Sequence, residues 1–129
     1  MTNRLKEFQA YRERMNRKIL GSGHLGLKRF FNLDSAAYRE GPLPAKVKEL
    51  LGLVASTVLR CNECIDYHLL QCTAAGWEDE AIFDALNVAL VVGGSIVIPH
   101  LRHAFETLEL IRQNQDATSL TSRVRNKKA

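Results

Sequence analysis

Four residues near the middle of the chain have the types and the spacing that thiol chemistry requires. Glu49, Cys61, Cys64 and His68 follow one another in the order Glu-x11-Cys-x2-Cys-x3-His. If residues 61–75 form one helix, the cysteines and the histidine lie at i, i+3 and i+7 and share one helix face. A neighbouring base raises the thiolate fraction of a cysteine, and the thiolate is the nucleophile. The spacing therefore predicts a reactive cysteine pair beside a histidine.

The same spacing predicts different roles for the two cysteines. Two thiols three residues apart at a helix start can close a disulfide. Cys64 is the one nearer to His68, so we expect Cys64 to attack and Cys61 to resolve the oxidised sulfur. The alternative is that both cysteines are small buried hydrophobes and that His68 is a core histidine with a hydrogen-bond partner.

A zinc site is the competing chemistry for this stretch. It contains four zinc-ligand side chains: Cys61, Cys64, His68 and Cys72. Along one straight helix these span roughly 16 Å at 1.5 Å per residue, whereas each zinc–sulfur bond is about 2.3 Å long. A zinc site would need a second ligand pair, for which His100 and His103 are the candidates. Covalent haem attachment requires a histidine where Ile65 stands, and we expect neither a metal nor a cofactor.

The chain length and the charge distribution predict one domain with basic ends. The chain has 129 residues and a net charge of +4, and this length suits a single domain. Residues 1–20 carry six basic and two acidic side chains, residues 21–114 eight and eleven, and residues 115–129 four and one. We interpret residues 1–114 as the domain and residues 115–129 as a disordered basic tail. No basic face with aromatic or polar readers is evident, so nucleic-acid binding is not expected.

Hydropathy predicts a protein of the cytoplasm. No charged segment followed by an apolar one opens the sequence, so we expect no secretory signal. The most apolar run, residues 85–98, is interrupted by polar residues and glycines and is shorter than the roughly 20 residues of a membrane helix. We expect it to be buried in the core or in a subunit interface. A Cys-x-x-Cys pair in a reducing compartment indicates redox or metal chemistry.

Apolar spacings of three and four predict an all-α fold of five or six helices. Helices are expected over residues 2–20, 45–59, 61–75, 77–93 and 96–112. Residues 24–33 are expected to form a short helical turn with Leu25, Leu27, Phe30 and Phe31 packed inward. Asp34 or Ser35 is then expected to cap a short helix through Glu40.

The apolar stripe of the second long helix is predicted to be Val47, Leu50, Leu51, Val54 and Val58. Glu49 lies off the middle of that stripe, so position alone makes it a surface glutamate. Gly76 is expected to end the next helix, and Trp77 is expected to be a packing anchor.

The stretch from Leu43 to Leu110 resembles the AhpD-like branch of the carboxymuconolactone decarboxylase superfamily. The likeness lies in LPAKVKELLGLVAS, CNECIDYH, an AAGW-EDEAI turn and a helix that ends in Gly93-Gly94. It implies an all-α fold around a central helical hairpin, with its core over residues 43–112, and assembly as a homotrimer or homohexamer.

The resemblance also implies an activity and the residues for it. The Cys-x-x-Cys pair would reduce a peroxide substrate at the expense of a dithiol reductant. Cys64 would attack and Cys61 resolve, which agrees with the spacing argument. Glu49 and His68 would relay protons.

This chain departs from the family pattern at Glu63, and two alternative functions stay open. Many relatives place a histidine or an aromatic residue before the second cysteine, where this chain has Glu63; a carboxylate there raises the thiol pKa and lowers the expected peroxidase rate. The decarboxylase branch generally lacks the cysteine pair.

The alternatives to a peroxidase are a non-redox decarboxylase-type enzyme with His68 as general base, and a binding protein whose cysteines sense redox state.

Overall fold

The fold is all-α, as the sequence predicted. The computed structural model describes the backbone of residues 3–128 and the side chains of residues 3–115. Within that part the chain forms α-helices and one 3₁₀ turn, and no strand. The elements are α1 (Arg4–Gly21), α2 (Leu25–Ala37), α3 (Ala45–Val58), α4 (Asn62–Ala74), α5 (Asp79–Gly93), the 3₁₀ turn (Ser95–Val97) and α6 (Ile98–Lys128).

A helical hairpin of α3 and α4 lies at the centre. Helix α3 packs against α4 and α5, and α4 packs against α6. Fully or almost fully buried side chains from these helices and from α1 form one core: Leu5, Leu53, Ile65, Leu69, Cys72, Ile82, Leu86, Ala104, Leu108 and Ile111. Burial of this apolar surface is the main favourable term in folding, so packing around the hairpin is the main source of the stability of the fold.

The break between α3 and α4 is a Schellman motif that has arginine where glycine is usual. The Cys61 N–H donates to the Ser56 carbonyl at 3.0 Å, and the Arg60 N–H donates to the Thr57 carbonyl at 3.0 Å. Arg60 takes a φ of 61°, in the left-handed region that favours glycine. Because no glycine marks this turn, the sequence signals the break only weakly. The predicted stop at Gly76 is confirmed, with a φ of 94°.

A buried carboxylate fastens α1 and α6 to α4. Asp66 accepts from His103 Nε2 at 2.8 Å and from the Thr107 hydroxyl at 2.6 Å through Oδ1, and from Arg4 at 3.1 Å through Oδ2. Arg4 also donates to Thr107 at 2.8 Å and to Glu106 at 2.9 Å. Breaking such a buried network by removing one partner is strongly destabilising.

The prediction for residues 24–40 is largely wrong. Residues 25–37 form one continuous helix, α2, which has no fully buried residue. Leu25, Leu27 and Phe30 are exposed, as is Leu33, and only Phe31 of the four residues predicted to pack inward is partly buried. Asp34 and Ser35 lie inside this helix and do not cap one. The cap is His24, whose side chain accepts from the Leu27 N–H at 3.3 Å. Histidine is not among the favoured capping residues, so the helix start is not evident from the sequence.

The predicted stripe of α3 is only partly correct. Leu50 packs against the core, and Val47, Val54 and Val58 are partly buried, but Leu51 is exposed. The fully buried face is formed instead by Gly52, Leu53, Ser56 and Thr57. Small residues line this face because α4 and α5 both approach it closely. Hydrophobicity alone therefore selects the other face.

The last helix is longer than predicted. It was expected to end near Arg112, but α6 runs to Lys128. The predicted tail, residues 115–129, falls almost entirely outside the residues whose side chains are described, and its disorder stays a prediction. Among the described residues no helix is long and apolar enough to span a membrane.

Replacing Arg60 by glycine should stabilise the protein. A left-handed conformation costs a non-glycine residue about 1–2 kcal/mol, and part of this gain is offset by the greater freedom of glycine in the unfolded chain. We expect Arg60→Gly to raise the free energy of unfolding by about 1 kcal/mol, measured by urea denaturation. The matched control is Arg29→Gly inside α2, which should lower it by about 1 kcal/mol. If both variants lowered the free energy of unfolding by the same amount, the assignment of strain to Arg60 would be contradicted.

Candidate active site

The two predicted redox cysteines lie at the start of α4 and are joined as a disulfide. Their Cα atoms are 5.3 Å apart. Cys61 is the N-cap residue of α4, and its sulfur accepts the Cys64 backbone N–H at 3.3 Å. Cys64 is exposed, whereas Cys61 is only partly exposed. A helix N-terminus lowers the pKa of a thiol, so this position favours thiolate chemistry.

His68 lies one turn further along α4 and is held by Glu49 from α3. Its Nδ1 is 2.9 Å from Glu49 Oε2, and the two side chains are 9% and 13% exposed. The expectation from position alone, a surface glutamate, is therefore wrong. A carboxylate can only accept, so Nδ1 carries a proton and a neutral imidazole keeps its lone pair on Nε2. Glu49 thus orients a base.

Gly52 makes room for that base. A Cβ built at Gly52 would lie 2.5 Å from His68 Cε1 and 2.8 Å from each ring nitrogen. Any side chain at this position would collide with the imidazole. This role could not be predicted from the sequence, because a single glycine within a helix has several possible explanations.

Tyr38 is a further side chain at the site that the sequence analysis missed. Its hydroxyl is 3.4 Å from His68 Nε2, and the two rings lie 5.3 Å apart between centroids. Burial, aided by the charges of Asp34 and Glu49, raises the pKa of Tyr38, so the phenol stays protonated and donates to Nε2. Tyr38 is the C-cap residue of α2, a helix whose bounds were predicted wrongly, and it has no fixed spacing from the cysteines, so no sequence signal could have identified it.

Cys64, His68 and Tyr38 open into one cleft of about 460 Å³, a volume typical of small-molecule sites. Its remaining lining is mostly apolar and aromatic, with three charged side chains: Phe8, Tyr11, Arg12, Met15, Asn16, Ile19, Phe31, Asp34, Glu63 and Tyr67. Helices α1 and α2 supply one wall and α4 supplies the other. Cys61 does not line the cleft.

Two other groups at the site have raised pKa values. Burial raises the pKa of Tyr67, with Glu49 adding to the effect and Arg12 opposing it; the Arg12 guanidinium lies 4.2 Å from the centroid of the Tyr67 ring. Burial, followed by the charge of Glu49, raises the pKa of Cys72 to about 12. Cys72 therefore stays a thiol at neutral pH and is separate from the redox pair.

The two histidines of α6 do not line this cleft. His103 binds Asp66, and His100 Nδ1 lies 2.7 Å from the Asn62 side-chain oxygen. Among the described residues no three histidine, cysteine or acidic side chains are grouped in a way that could hold a metal ion.

A comparison with protein families gives one match that covers most of the chain. The model of the carboxymuconolactone decarboxylase family matches residues 24–107. The chain belongs to the carboxymuconolactone decarboxylase family. A search of the curated proteins gave no match.

Solved structures of this family share the fold. TM1620 from Thermotoga maritima, known from a crystal structure, is 59% identical to this chain and has a TM-score of 0.84. The match covers 87% of this chain and 98% of TM1620. A second structure of TM1620, at 57% identity with 88% and 96% coverage and a TM-score of 0.84, is described as a family protein with a suggested involvement in antioxidative response. The family protein apo-lpg0406 from Legionella pneumophila, at 21% identity with 84% and 96% coverage, has a TM-score of 0.77 and supports the fold alone.

Adding a methyl group at Gly52 should displace His68. We expect Gly52→Ala to lower the free energy of unfolding by about 1–3 kcal/mol, the usual cost of overpacking, and to shift the NMR signals of the His68 ring nitrogens. The control is Gly21→Ala, whose Cβ would meet nothing within 4 Å; it should leave the His68 signals unchanged. Unchanged ring signals in Gly52→Ala would show that the imidazole does not depend on this space.

Proposed function

We propose that this protein is a thiol-dependent peroxidase and disulfide reductase. The observation that carries the proposal is the Cys61–Cys64 disulfide at a helix N-terminus, with Cys64 in the same cleft as the Glu49-bound His68. The suggested antioxidative involvement of TM1620 supports it. The apolar cleft walls suit a peroxide with an organic substituent. A dithiol-dependent cycle requires a reducing compartment, which favours the cytoplasm.

The first step oxidises Cys64. His68 Nε2 takes the proton of the Cys64 thiol, and Glu49 stabilises the resulting imidazolium through Nδ1. The thiolate attacks one peroxide oxygen; an S–O bond forms, the O–O bond breaks, and the second oxygen leaves as an alcohol after protonation. Sulfur is oxidised by two electrons to a sulfenic acid.

The second step closes the disulfide that the structure contains. The Cys61 thiol attacks the sulfenic sulfur of Cys64, and the hydroxyl leaves as water with the Cys61 proton. Cys61 suits this role because its sulfur already accepts the Cys64 N–H and lies at the positive end of a helix.

The reductive half-reaction restores both thiols. A dithiol reductant attacks the exposed sulfur of Cys64, and Cys61 leaves as a thiolate. The helix N-terminus stabilises a thiolate at Cys61, and a more stable thiolate is a better leaving group. The second thiol of the reductant then displaces Cys64, so two electrons and two protons pass from the reductant to the protein. Glu63, which borders the cleft beside Cys64, opposes ionisation of Cys64 and should lower the rate.

Substitution of each cysteine separates their roles. With reduced protein and one equivalent of an organic hydroperoxide, we expect Cys64→Ser to consume no peroxide. Cys61→Ser should stop at an oxidised Cys64 that a sulfenic-acid probe traps. His68→Gln and Glu49→Gln should slow the first step by roughly 100-fold, as for loss of a general base. Intact-mass analysis gives the adducts, and Cys72→Ala is the matched control because Cys72 is buried outside the pair.

Three outcomes would contradict this proposal. An adduct on Cys64→Ser but none on Cys61→Ser would reverse the two cysteine roles. Unchanged thiol counts in the wild type after peroxide would instead favour the decarboxylase-type enzyme with His68 as base. Disulfide formation without turnover in the presence of any dithiol would favour the redox-sensing binding protein.

We also propose that the chain forms a homotrimer or homohexamer. Apolar side chains of α5 and the 3₁₀ turn face outward in the single chain: Val88, Val91, Val92 and Ile96. The outer face of α2 adds Phe30 and Leu33. Exposed apolar patches of this kind mark contacts with another protein, and closed symmetric assemblies are the usual form of soluble homo-oligomers.

Sedimentation tests the assembly. We expect a species of three or six times the 14.5 kDa chain mass. Val91, which is 77% exposed, does not stabilise the single chain, so Val91→Glu should shift the protein toward the monomer without loss of helicity. The control is Ala10→Glu on α1, away from both patches. A 14.5 kDa wild-type monomer at micromolar concentration would contradict the proposal.

A further inference from the structure

His68 Nε2 has a hydrogen-bond partner in this structure, in which Cys64 is bound in the disulfide. Glu49 holds Nδ1 at 2.9 Å, and the Tyr38 hydroxyl is the group at Nε2, at 3.4 Å. Among the described side chains that line the cleft, Tyr38 is thus the one with a polar hydrogen directed at the base. The proton that His68 receives from Cys64 consequently has a direct route to the Tyr38 oxygen.

Tyr38 also faces the space in which a peroxide must bind. It lines the cleft together with Cys64 and His68, whereas Glu49 lies behind the imidazole and does not line it. The alkoxide that leaves during attack by Cys64 is a strong base and needs a proton at the moment the O–O bond breaks. A hydroxyl between the cleft and a protonated histidine is placed to supply it.

We propose that Tyr38 is the catalytic general acid that protonates the departing oxygen of the peroxide. This inference rests on the peroxidase function proposed above. The Cys64 thiolate bonds to one oxygen of RO–OH and the O–O bond breaks; RO⁻ takes the phenolic proton and departs as ROH. The Tyr38 phenolate then regains a proton from His68 Nε2, which had received it from the Cys64 thiol. The sum is Cys-SH + ROOH → Cys-SOH + ROH, so protons and electrons balance.

The surroundings of Tyr38 suit this role. Burial and the nearby carboxylates of Asp34 and Glu49 raise the pKa of its hydroxyl, which keeps the proton on the phenol until a stronger base forms beside it. Contact with the His68 ring fixes the orientation of the phenol. Tyr67 offers a natural comparison, because it lines the same cleft and packs edge-on against His68, with 5.2 Å between the ring centroids. The hydroxyl of Tyr67, however, interacts with Arg12.

The test compares leaving groups in single-turnover reactions of the reduced protein, quenched and counted by intact mass. With tert-butyl hydroperoxide, which leaves as a basic alkoxide, Tyr38→Phe should react roughly 100-fold more slowly than the wild type. With peracetic acid, which leaves as the weakly basic acetate, the two proteins should react at similar rates. Alkylation of Cys64 by iodoacetamide requires a thiolate but no proton on the leaving iodide, so Tyr38→Phe should be alkylated at the wild-type rate. Tyr67→Phe should keep the wild-type ratio of the two peroxide rates.

Each other outcome is diagnostic. Equal slowing of tert-butyl hydroperoxide and peracetic acid in Tyr38→Phe would assign Tyr38 a role in shaping the cleft and would overturn the proposal, as would an unchanged rate with both. Slowed alkylation would show that Tyr38 acts on the thiolate rather than on the departing oxygen. If the reduced wild type is alkylated normally but reacts with neither peroxide, the peroxidase function fails, and this inference fails with it.

Discussion

The bond between Glu49 and His68 is the interaction on which the site depends. It joins the two helices of the central hairpin, and both side chains are largely withdrawn from water. A buried ionisable pair of this kind requires partners on every side. Gly52 supplies the space for the ring, and the Tyr38 hydroxyl satisfies the nitrogen that Glu49 leaves open. The orientation of the His68 ring therefore depends on the close approach of α3 and α4, and a change in the packing of these two helices would move the ring.

Helix α4 uses its faces for different purposes. Cys64 and His68 share the face toward the cleft, whereas Asp66 lies roughly half a turn away, as 3.6 residues per turn require. From that face Asp66 binds groups of α1 and α6. The Schellman motif at Arg60 ends α3 abruptly, so that Cys61 caps α4 and the disulfide lies at its positive end. One short helix therefore carries both Cys64 and His68 at the cleft and Asp66 in the contacts with α1 and α6, and these side chains lie on different faces.

Helix α2 is the least anchored element that reaches the site. It has no buried residue, yet its inner side contributes Phe31 and Asp34 to the cleft and Tyr38 follows its end. Its apolar outer face and the outward valines of α5 are the exposed surfaces on which the proposed assembly rests. An assembly that covers α2 would also fix the wall of the cleft.

Most of the helices and the position of the Cys61–Cys64 pair could be predicted from the sequence pattern, and the central hairpin from the family resemblance. The 3.6-residue periodicity marks most of the helices, and Cys-x-x-Cys with a histidine one turn later is a local pattern whose geometry follows from the helix alone. Helix α2 was predicted as two short pieces because His24 is an unusual cap. The fully buried face of α3 was not predicted, because several of its residues are small and allow close packing. Glu49 owed its role to the family resemblance, since position suggested a surface residue. Only the tertiary structure brought Gly52 and Tyr38 to His68, because contacts between separate helices have no fixed spacing along the chain.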